Sequence, residues 1–541
     1  MSQPAISSTS AVQQTSSAPS RDRLVIAIDY GTIDTAVAFG LTQTDIANLD
    51  ELEVVEKWPA GLSSRVPSAI SYSPTADMSQ QQWGFSVSED AIVYTRTKLD
   101  LDISSKEHML GRISDFLDGA SDLRFEAVLR ARGYPEHSWK DAQDMVSDYF
   151  RQVFHVVFEE LAYMGGHLAQ VAVDIVITTP AQQWSYKGEN SLFRAVREAG
   201  FNNESFPSLG DTIIVAESDA AAIWSIRNMR EQQGNESFKQ GECFIFCDCG
   251  YDIVESTTYR IKCLEPTLQI EAINELKITQ GGGKHIYQNF EKWLQGVIGE
   301  RCFRRLDPRY DQCFRAKETW PKGMRQLAER FDQKLRCRPS DDKTFHIDLP
   351  PPLHHLSCAD NVVAGELKIT SKELKSFMNS WVTSIINLIE GQIQQTNEGN
   401  DRITNILLVG DYSDVLHLQN EIDLVMRSKN IKLHRPWLRW GHTATAQGAV
   451  VYGIEKSHRS DLCIAESSPR HYGLLLDDGP VVNTTPVHRA GTFTYLIQKD
   501  DLLFSDRVVT KEKSFAIKLH PEKEKVAMMN LSFRHCQIRK R

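Results

Sequence analysis

The sequence predicts an α/β protein made of two similar lobes, followed by a small β-rich C-terminal segment. Segments with strand periodicity and segments with helix periodicity alternate along most of the chain, which is typical of an α/β fold. An apolar strand that ends in Asp, any residue and Gly occurs twice, at 26–31 and at 245–250, and this repetition indicates two related lobes. After residue 458 the helical patterns give way to short strands, which indicates the β-rich extension.

The first lobe is predicted to begin with a hairpin, in which residues 24–28 form a strand, 29–32 turn and 35–39 return. Short strands interrupted by Pro and Ser are predicted between 50 and 90. The spacing of apolar residues then predicts, in order, a helix over 141–163, a strand over 171–177, a helix over 191–199, a strand over 212–216 and another helix after it. Ser191 and Ser218 are the predicted N-caps of the last two helices, and Gly200 is the predicted end of the first of these.

The second lobe is predicted to repeat this opening with a hairpin over 244–259. The later elements are a helix over 286–294 opened by a glycine run, a Pro-rich polar linker over 338–357, a helix over 371–396, a strand over 406–409, a helix from about 415 and an Ala/Gly-rich helix over 443–452. The predicted domain boundaries are 1–20 for a disordered tail, 21–238 with 432–458 for the first lobe, 239–431 for the second lobe and 459–541 for the C-terminal segment.

Composition narrows the classes of function. The chain has 541 residues and a net charge of −10, and an acidic balance argues against a general nucleic-acid-binding protein. No run of eighteen apolar residues occurs, so the sequence predicts no membrane span. The ten cysteines are scattered without paired spacing, which favours a reducing, cytoplasmic setting.

The residues at the ends of the predicted strands suggest a nucleotide site. Such a site needs backbone N–H groups near glycines for the phosphates, and carboxylates that hold Mg²⁺, usually through water. The sequence places Asp29 and Asp248 at the ends of the two repeated strands, with Glu217 and Gly410 at the ends of two others. Taken alone, the aspartates could be turn residues that bond their own backbone, and Glu217 could be a first-turn acid at a helix N-terminus.

Five motifs in order resemble the nucleotide-binding domain of the heat shock protein 70 family, within the actin-like ATPase superfamily. They are "AIDYGTIDTAVAF", "VAESDAAAIW", "FCDCGYDIVEST", "ILLVGDYSDV" and "TATAQGAVVYG", which resemble the first phosphate, first connecting, second phosphate, adenosine and second connecting motifs. The resemblance covers about residues 21–458 and is closer to the divergent fungal and animal branch that lacks the usual peptide-binding domain. It implies a two-lobed actin-like ATPase fold built from duplicated ribonuclease H-like lobes.

The resemblance also implies roles for individual residues. The implied nucleotide-binding residues are Asp29, Gly31, Thr32, Ile33, Gly250, Gly281, Gly282, Gly283, Gly410 and Asp411. Asp29 and Asp248 would hold Mg²⁺ through water, and Glu217 and Asp248 would serve catalysis, with Glu217 helping to place the attacking water. Lys98 and Lys334 are weaker candidates, for the γ-phosphate and for adenine, and each could equally be an exposed surface lysine.

The second phosphate motif departs from the family pattern at several positions. Tyr251 and Asp252 stand where glycines are expected, Ile253 replaces a threonine, and Glu255 replaces a shorter acid. Glycines admit a phosphate to the backbone and adopt φ > 0, so we expect Tyr251 and Asp252 to obstruct the loop. Ile253 removes a hydroxyl near the transferring phosphate. The sequence therefore predicts that ATP or ADP with Mg²⁺ binds weakly and that hydrolysis is very slow or absent.

Three functions remain open at this point. The favoured one is a pseudo-ATPase that acts through contacts with unidentified protein partners or clients. An active, ATP-dependent chaperone-like ATPase is the alternative, and a sugar kinase of the same superfamily is the third. The sequence predicts an adenine nucleotide as ligand, and neither a nucleic acid nor a membrane as partner.

Overall fold

The structure is a computed structural model. It describes residues 22–72, 82–88, 91, 93–101, 142–180, 184, 186–233, 238–308, 320–337, 343–358, 361–399, 401–435, 441–459, 463–467, 472–476, 492–497 and 502–504. The predicted disordered tail at 1–20 and the predicted strands beyond residue 504 lie outside the described residues.

The strands of the described residues extend from the first hairpin to the C-terminal segment. They are β1 Arg23–Tyr30, β2 Asp34–Thr42, β3 Leu52–Val54, β4 Lys57–Trp58, β5 Gly61–Leu62, β6 Val66–Pro67, β7 Ala69–Ser71, β8 Gln82–Trp83, β9 Val93–Thr95, β10 Ala172–Thr179, β11 Leu209–Ala216, β12 Cys243–Cys249, β13 Ile253–Cys263, β14 Gln269–Ala272, β15 Lys277–Gln280, β16 Thr344–Asp348, β17 Val362–Val363, β18 Glu366–Thr370, β19 Ile403–Val409, β20 Lys432–His434, β21 Cys463–Ser467, β22 Tyr472–Leu476, β23 Thr492–Ile497 and β24 Leu502–Phe504.

The helices alternate with these strands. They are α1 Thr97–Asp100, α2 Ala142–Glu160, α3 Tyr186–Glu198, α4 Glu217–Gln233, α5 Gly282–Ile298, α6 Glu300–Leu306, α7 Lys322–Leu335, α8 Ser371–Glu398, α9 Leu416–Arg427 and α10 Ala444–Ile454. Short 3-10 helices occur at Leu49–Glu51, Gly84–Ser86, Leu161–His167, Gly441–Thr443 and Lys456–His458. Within the described residues, none of the helices has the length and apolar character that crossing a membrane requires.

Two mixed sheets share one topology. In the first sheet β1 pairs antiparallel with β2 and parallel with β10, while β3 and β11 extend the two sides. In the second sheet β12 pairs antiparallel with β13 and parallel with β19, while β14 and β20 extend the sides in the same senses. The mixed α/β class and the two predicted hairpins are therefore confirmed.

Alternating side chains of the central strands belong to different hydrophobic clusters. Leu24 and Ile26 of β1 pack in a cluster with α2 and α3, whereas Val25 and Ala27 face α4 and α10. The second sheet likewise packs α5, α7 and α8 on one face and α4 and α10 on the other. Helices α4 and α10 therefore lie between the two sheets.

The close crossing of α4 and α10 depends on small residues. A Cβ atom at Gly448 would overlap the carbonyl oxygen of Ala220 on the facing helix. Small side chains shorten the distance between helix axes. The predicted role of the Ala/Gly-rich helix in close helix packing is confirmed.

Two predicted helix starts are wrong. Helix α3 begins at Tyr186, so Ser191 lies inside it rather than at its N-cap, because the polar first turn gives no apolar periodicity. Helix α4 begins at Glu217, which places Ser218 in its first turn, where its Oγ accepts a hydrogen bond of 3.0 Å from the Tyr259 hydroxyl. Gly200, at φ 125°, follows the end of α3 as predicted.

The predicted Pro-rich linker over 338–357 is wrong at 344–348. Residues 344–348 form β16, which pairs antiparallel with β18 in a three-stranded sheet. Phe345 and Ile347 alternate with exposed residues and are buried in the core of the second sheet. The three consecutive prolines at 350–352 favoured the prediction of a linker, although the residues just before them alternate as in a strand.

The C-terminal strands divide into two groups. β21 pairs antiparallel with β11, and β24 pairs with β21, so both extend the first sheet beyond β11. β22 and β23 form a separate two-stranded ribbon. Part of the C-terminal segment therefore belongs to the first sheet rather than to a separate unit.

Candidate functional site

A cavity of about 180 Å³ lies between the two sheets, at the carboxyl ends of their parallel strands. Parallel strands end at the same edge of a sheet, and such edges commonly form binding sites. The predicted residues that line this cavity are Asp29, Gly31, Thr32, Ile33, Glu217, Asp248, Gly250, Gly410 and Asp411. The convergence of the two hairpins, Glu217 and Gly410 on one cavity is confirmed.

The first hairpin loop presents backbone donors to the cavity. The Gly31 N–H donates to the Asp34 carbonyl at 3.0 Å, and Ser68 donates to the carbonyls of both Ile33 and Gly31. Within the described residues, the N–H groups of Thr32 and Ile33 have no acceptor. Two adjacent N–H groups in a tight loop form a concavity that suits an anion.

Gly410 is required by the backbone at the end of β19. Its φ is 89°, which side-chain-bearing residues rarely adopt, and a Cβ there would overlap Asp248 Oδ1. The next residue, Asp411, lies 2.9 Å from His442 Nδ1 and 3.6 Å from Arg65 Nη1. The third loop of the cavity therefore adds a carboxylate next to Gly410.

The glycine run at Gly281, Gly282 and Gly283 does not line the cavity, so its predicted contact with the nucleotide is not supported by its position. These residues open α5 behind the second hairpin loop. The N–H groups of Gly281 and Gly282 donate to the Asp252 carbonyl, that of Gly283 donates to Gly250, and that of Lys284 donates to Tyr251, at 2.8–3.0 Å. The donors that a helix N-terminus offers to an anion are already bonded to the hairpin loop.

The second hairpin loop accommodates its two unusual residues without backbone strain. Neither Tyr251 nor Asp252 has φ > 0, so the expected conformational conflict is wrong. Asp252 Oδ1 accepts a hydrogen bond of 2.8 Å from Arg96 Nη2, which places a cation beside the acid. Ile253 lines the cavity, so its apolar side chain lies at the place where a threonine hydroxyl was expected to contact the phosphate. The loop is altered in its chemistry rather than distorted.

Lys98 is part of the site. Its side chain is 3% exposed, and its ammonium forms an ion pair with Glu217 and lies 5.9 Å from the centre of the Trp184 ring. The surface-lysine interpretation is therefore wrong for Lys98. Lys334 on α7 does not line the cavity, and its predicted position near adenine has no support from the geometry.

Arg65 is the functional candidate that sequence reasoning missed. It lies between β5 and β6, and its guanidinium lies 3.9 Å from Asp29 Oδ2 and 3.6 Å from Asp411 Oδ1. Its buried Nε atom has no hydrogen-bond partner in the described part of the chain. A single arginine in a polar Ser- and Pro-containing stretch carries no local signal that it will lie between the two sheets.

Acidic groups dominate the cavity wall. Seven of the lining residues are Asp or Glu, whereas Arg65 and Lys98 are the Lys and Arg residues among them. Burial, together with the charges of Asp411 and Glu217, raises the pKa of Asp248 to about 7. Burial also raises the pKa of Glu255, which lies opposite Asp248 in the hairpin, to about 8. Within the described residues, neither Asp248 nor Glu255 has an ion-pair partner.

The carboxylates that line the cavity fit a divalent cation held through water better than one that they coordinate directly. No three His, Cys, Asp or Glu side chains in the described ranges are grouped so that they could hold one metal ion. Magnesium keeps several water ligands and needs only one or two carboxylates from a protein. Asp248 and Glu255 form no ion pair within the described residues, and Asp29 Oδ1 accepts a hydrogen bond of 3.0 Å from Thr178 Oγ1. Water-mediated binding through Asp29 and Asp248 is compatible with these positions.

Comparison with known proteins adds no assignment. No protein-family model matches the sequence, and no curated protein is significantly similar to it. The functional interpretation therefore depends on the residues and geometry of the cavity.

Proposed function

We propose that the chain is a heat shock protein 70-like nucleotide-binding protein with a two-lobed actin-like ATPase fold. In this proposal it binds ATP or ADP weakly together with Mg²⁺, hydrolyses ATP very slowly or not at all, and acts through contacts with other proteins. The observation that carries the proposal is the meeting of Asp29, Glu217, Asp248 and Gly410 around one cavity.

The repeated topology supports the fold part of the proposal. Each sheet contains an antiparallel hairpin whose first strand is continued by two parallel strands, and the Asp of each hairpin faces the same cavity. Helices α4 and α10 lie between the sheets and cross at Gly448. This arrangement is expected of duplicated ribonuclease H-like lobes with a ligand between them.

The chemistry of the cavity supports binding of a phosphate group with a metal ion. The N–H groups of Thr32 and Ile33 and the guanidinium of Arg65 are donors for phosphate oxygens. Asp29 and Asp248 are the carboxylates that would hold the hydrated cation. When bound, Mg²⁺ would neutralise charge on the phosphates and on these acids.

The same cavity argues against rapid hydrolysis. Ile253 lines it with an apolar side chain that can neither donate nor accept a hydrogen bond. Removing one well-placed donor from a transition state lowers the rate by about 10²–10³-fold. Glu217 is held in an ion pair by Lys98, so its carboxylate is not free to orient an attacking water.

Calorimetric titration of the full chain with ATP and with ADP, with and without Mg²⁺, tests nucleotide binding. We expect weak binding that requires Mg²⁺ and is reduced in Asp29→Asn. Asp45→Asn is the matched control, because Asp45 is an exposed acid paired with Arg23 away from the cavity. Absence of a heat signal and of a thermal shift at millimolar ATP and Mg²⁺ would exclude the proposed nucleotide site.

An assay of phosphate release from ATP tests the proposal that hydrolysis is very slow or absent. We expect the Ile253→Thr variant to release phosphate from ATP faster than the wild type, and Ile253→Val, which has nearly the same shape, to be unchanged. Rapid turnover by the wild type would instead support the active chaperone-like ATPase. Phosphorylation of a sugar from a panel of sugars would support the kinase.

A further inference from the structure

The cavity is small for a nucleotide site. Its volume is about 180 Å³, whereas pockets for small molecules and cofactors are commonly about 300–1,000 Å³. Its wall consists largely of hairpin loops, carboxylates and the cationic groups of Arg65 and Lys98. These groups suit a compact, multiply charged ligand, and they provide little surface for a base.

An aromatic cluster fills the space beside Gly410. Tyr412 is 4% exposed, its N–H donates to the Cys249 carbonyl at 3.1 Å, and its ring occupies the place of a Cβ at Gly283. The ring centre of Tyr412 lies 6.3 Å from those of Tyr251 and Trp381. A base could enter between α5 and the end of β19 only if this buried ring moved out.

A polar network continues the same wall toward α7. Arg336 donates through Nε to Asp414 at 2.6 Å and through Nη2 to the Asp411 carbonyl at 3.3 Å. Tyr287 from α5 hydrogen-bonds Asp332 on α7. These groups are paired with one another, and opening the wall would break these hydrogen bonds, including that of the buried Tyr287 hydroxyl.

We infer that the cavity binds the divalent-cation complex of a short polyphosphate and does not recognise a base. The inference rests on the proposed function, because it concerns the same cavity and names the part of the nucleotide that enters it. The phosphates contact the loop N–H groups of Thr32 and Ile33 and the guanidinium of Arg65. The nucleoside of a bound nucleotide stays on the solvent side of Tyr251 and Tyr412.

The cation is necessary because of the charge balance. Seven acids line the cavity together with Arg65 and Lys98, and Arg96 pairs with Asp252 beside it. Even with Asp248 and Glu255 protonated, the acids outnumber these cations, so a polyphosphate alone meets net repulsion. A divalent cation between the carboxylates and the phosphates replaces this repulsion with attraction.

The test is a comparison of affinities on the full chain. Sodium triphosphate, ATP and GTP are titrated by calorimetry in Mg²⁺ and again in EDTA, and adenosine is tested at millimolar concentration. We expect the three phosphate ligands to bind within about threefold of one another in Mg²⁺, none to bind in EDTA, and adenosine neither to bind nor to compete. Tenfold tighter binding of ATP than of triphosphate or GTP, competition by adenosine, or binding in EDTA would overturn the inference.

Two variants separate recognition of the phosphates from recognition of the base. Arg65→Gln should weaken all three ligands by the same factor, about tenfold or more, since it removes a charged donor shared by all of them. Lys334→Gln should leave all three affinities unchanged, because Lys334 lies outside the cavity wall. A loss of ATP affinity in Lys334→Gln without a loss for triphosphate would place the base at α7 and refute the inference.

The outcomes also separate the inference from the proposed function. If ATP binds with a clear preference for adenine, the nucleotide-binding proposal stands and the base-independent inference fails. If triphosphate binds and ATP does not, the nucleotide function fails, and so does the inferred placement of the nucleoside outside the cavity, while recognition of the polyphosphate stands. If none of the ligands binds to a folded wild-type protein, both are overturned.

Discussion

Asp248 should reduce the stability of the metal-free protein at neutral and alkaline pH, and the Asp248→Asn variant should remove this cost. Burial and the neighbouring acids raise the pKa of Asp248 from an ordinary value of 3.8 to about 7. Each pKa unit corresponds to 1.36 kcal/mol, so the charged carboxylate costs the folded state about 4 kcal/mol once the pH exceeds the folded-state pKa. The pKa of Asp248 is higher in the folded state than in the unfolded state. The folded protein is therefore most stable, as far as this group is concerned, below about pH 4, and it loses this stability as the pH rises through 7.

The assay is chemical unfolding in EDTA at several pH values between 4 and 9. We expect Asp248→Asn to match the wild type near pH 4 and to exceed it by up to about 4 kcal/mol near pH 9. Asp174→Asn is the control, because Asp174 is also buried, at 2% exposure, but pairs with Lys456 at 2.7 Å and with Arg23 at 3.3 Å. That substitution should destabilise the protein. A destabilising effect of Asp248→Asn at pH 9 would refute the reasoning that Asp248 lacks a compensating partner.

Two further predictions concern packing and charge. Lys98→Met should destabilise the protein by about 3–5 kcal/mol, because it leaves the carboxylate of Glu217 without its ion-pair partner, and adding Glu217→Gln should recover most of the loss in thermal or chemical unfolding. A double variant as unstable as Lys98→Met would contradict this explanation. Gly448→Ala should cost about 1–3 kcal/mol, since its methyl group would overlap the Ala220 carbonyl, whereas Gly296→Ala in α5, where nothing lies within 4 Å of a Cβ, should be neutral or stabilising. Equal unfolding midpoints for the two glycine variants would show that α4 and α10 are not closely apposed.

Local sequence patterns identified the elements that carry strong periodicity. Both hairpins and the long helix α8 follow from the spacing of apolar residues and from Asp and Gly at the strand ends. The meeting of Asp29 and Asp248 at one cavity followed instead from the resemblance to a two-lobed fold, because the two residues end strands of different sheets. What local pattern could not supply was the start of α3, whose first turn is polar, and the strand β16, which lies beside three prolines.

The parts of the site that were missed depend on tertiary structure. Arg65 was missed and Lys98 was only a weaker candidate, because each reaches the cavity from a segment whose local sequence does not distinguish it from a surface residue. The glycine run preceding and opening α5 resembles a phosphate-binding turn, but its N–H groups are bonded to carbonyls of the second hairpin loop. Tyr251 and Asp252 were expected to strain that loop, and the structure instead gives them ordinary φ values and pairs Asp252 with Arg96. Sequence identifies which groups are available, whereas only the fold shows which of them already have partners.

The hydrogen bonds between α5 and the second hairpin loop have a mechanical consequence. They join residues 250–252 to the first turn of a 17-residue helix, so the loop and the helix must move as one body unless several of these bonds break together. A helix of this length extends about 25 Å. A ligand that pushes on the loop would therefore push on the whole of α5, whose far end near Ile298 packs in the core of the second sheet, at a distance that the ligand itself cannot reach. We expect the position of this end of α5 to differ between the empty and the ligand-bound protein. A protein bound at that end would then respond to ligand binding through the position of the helix alone.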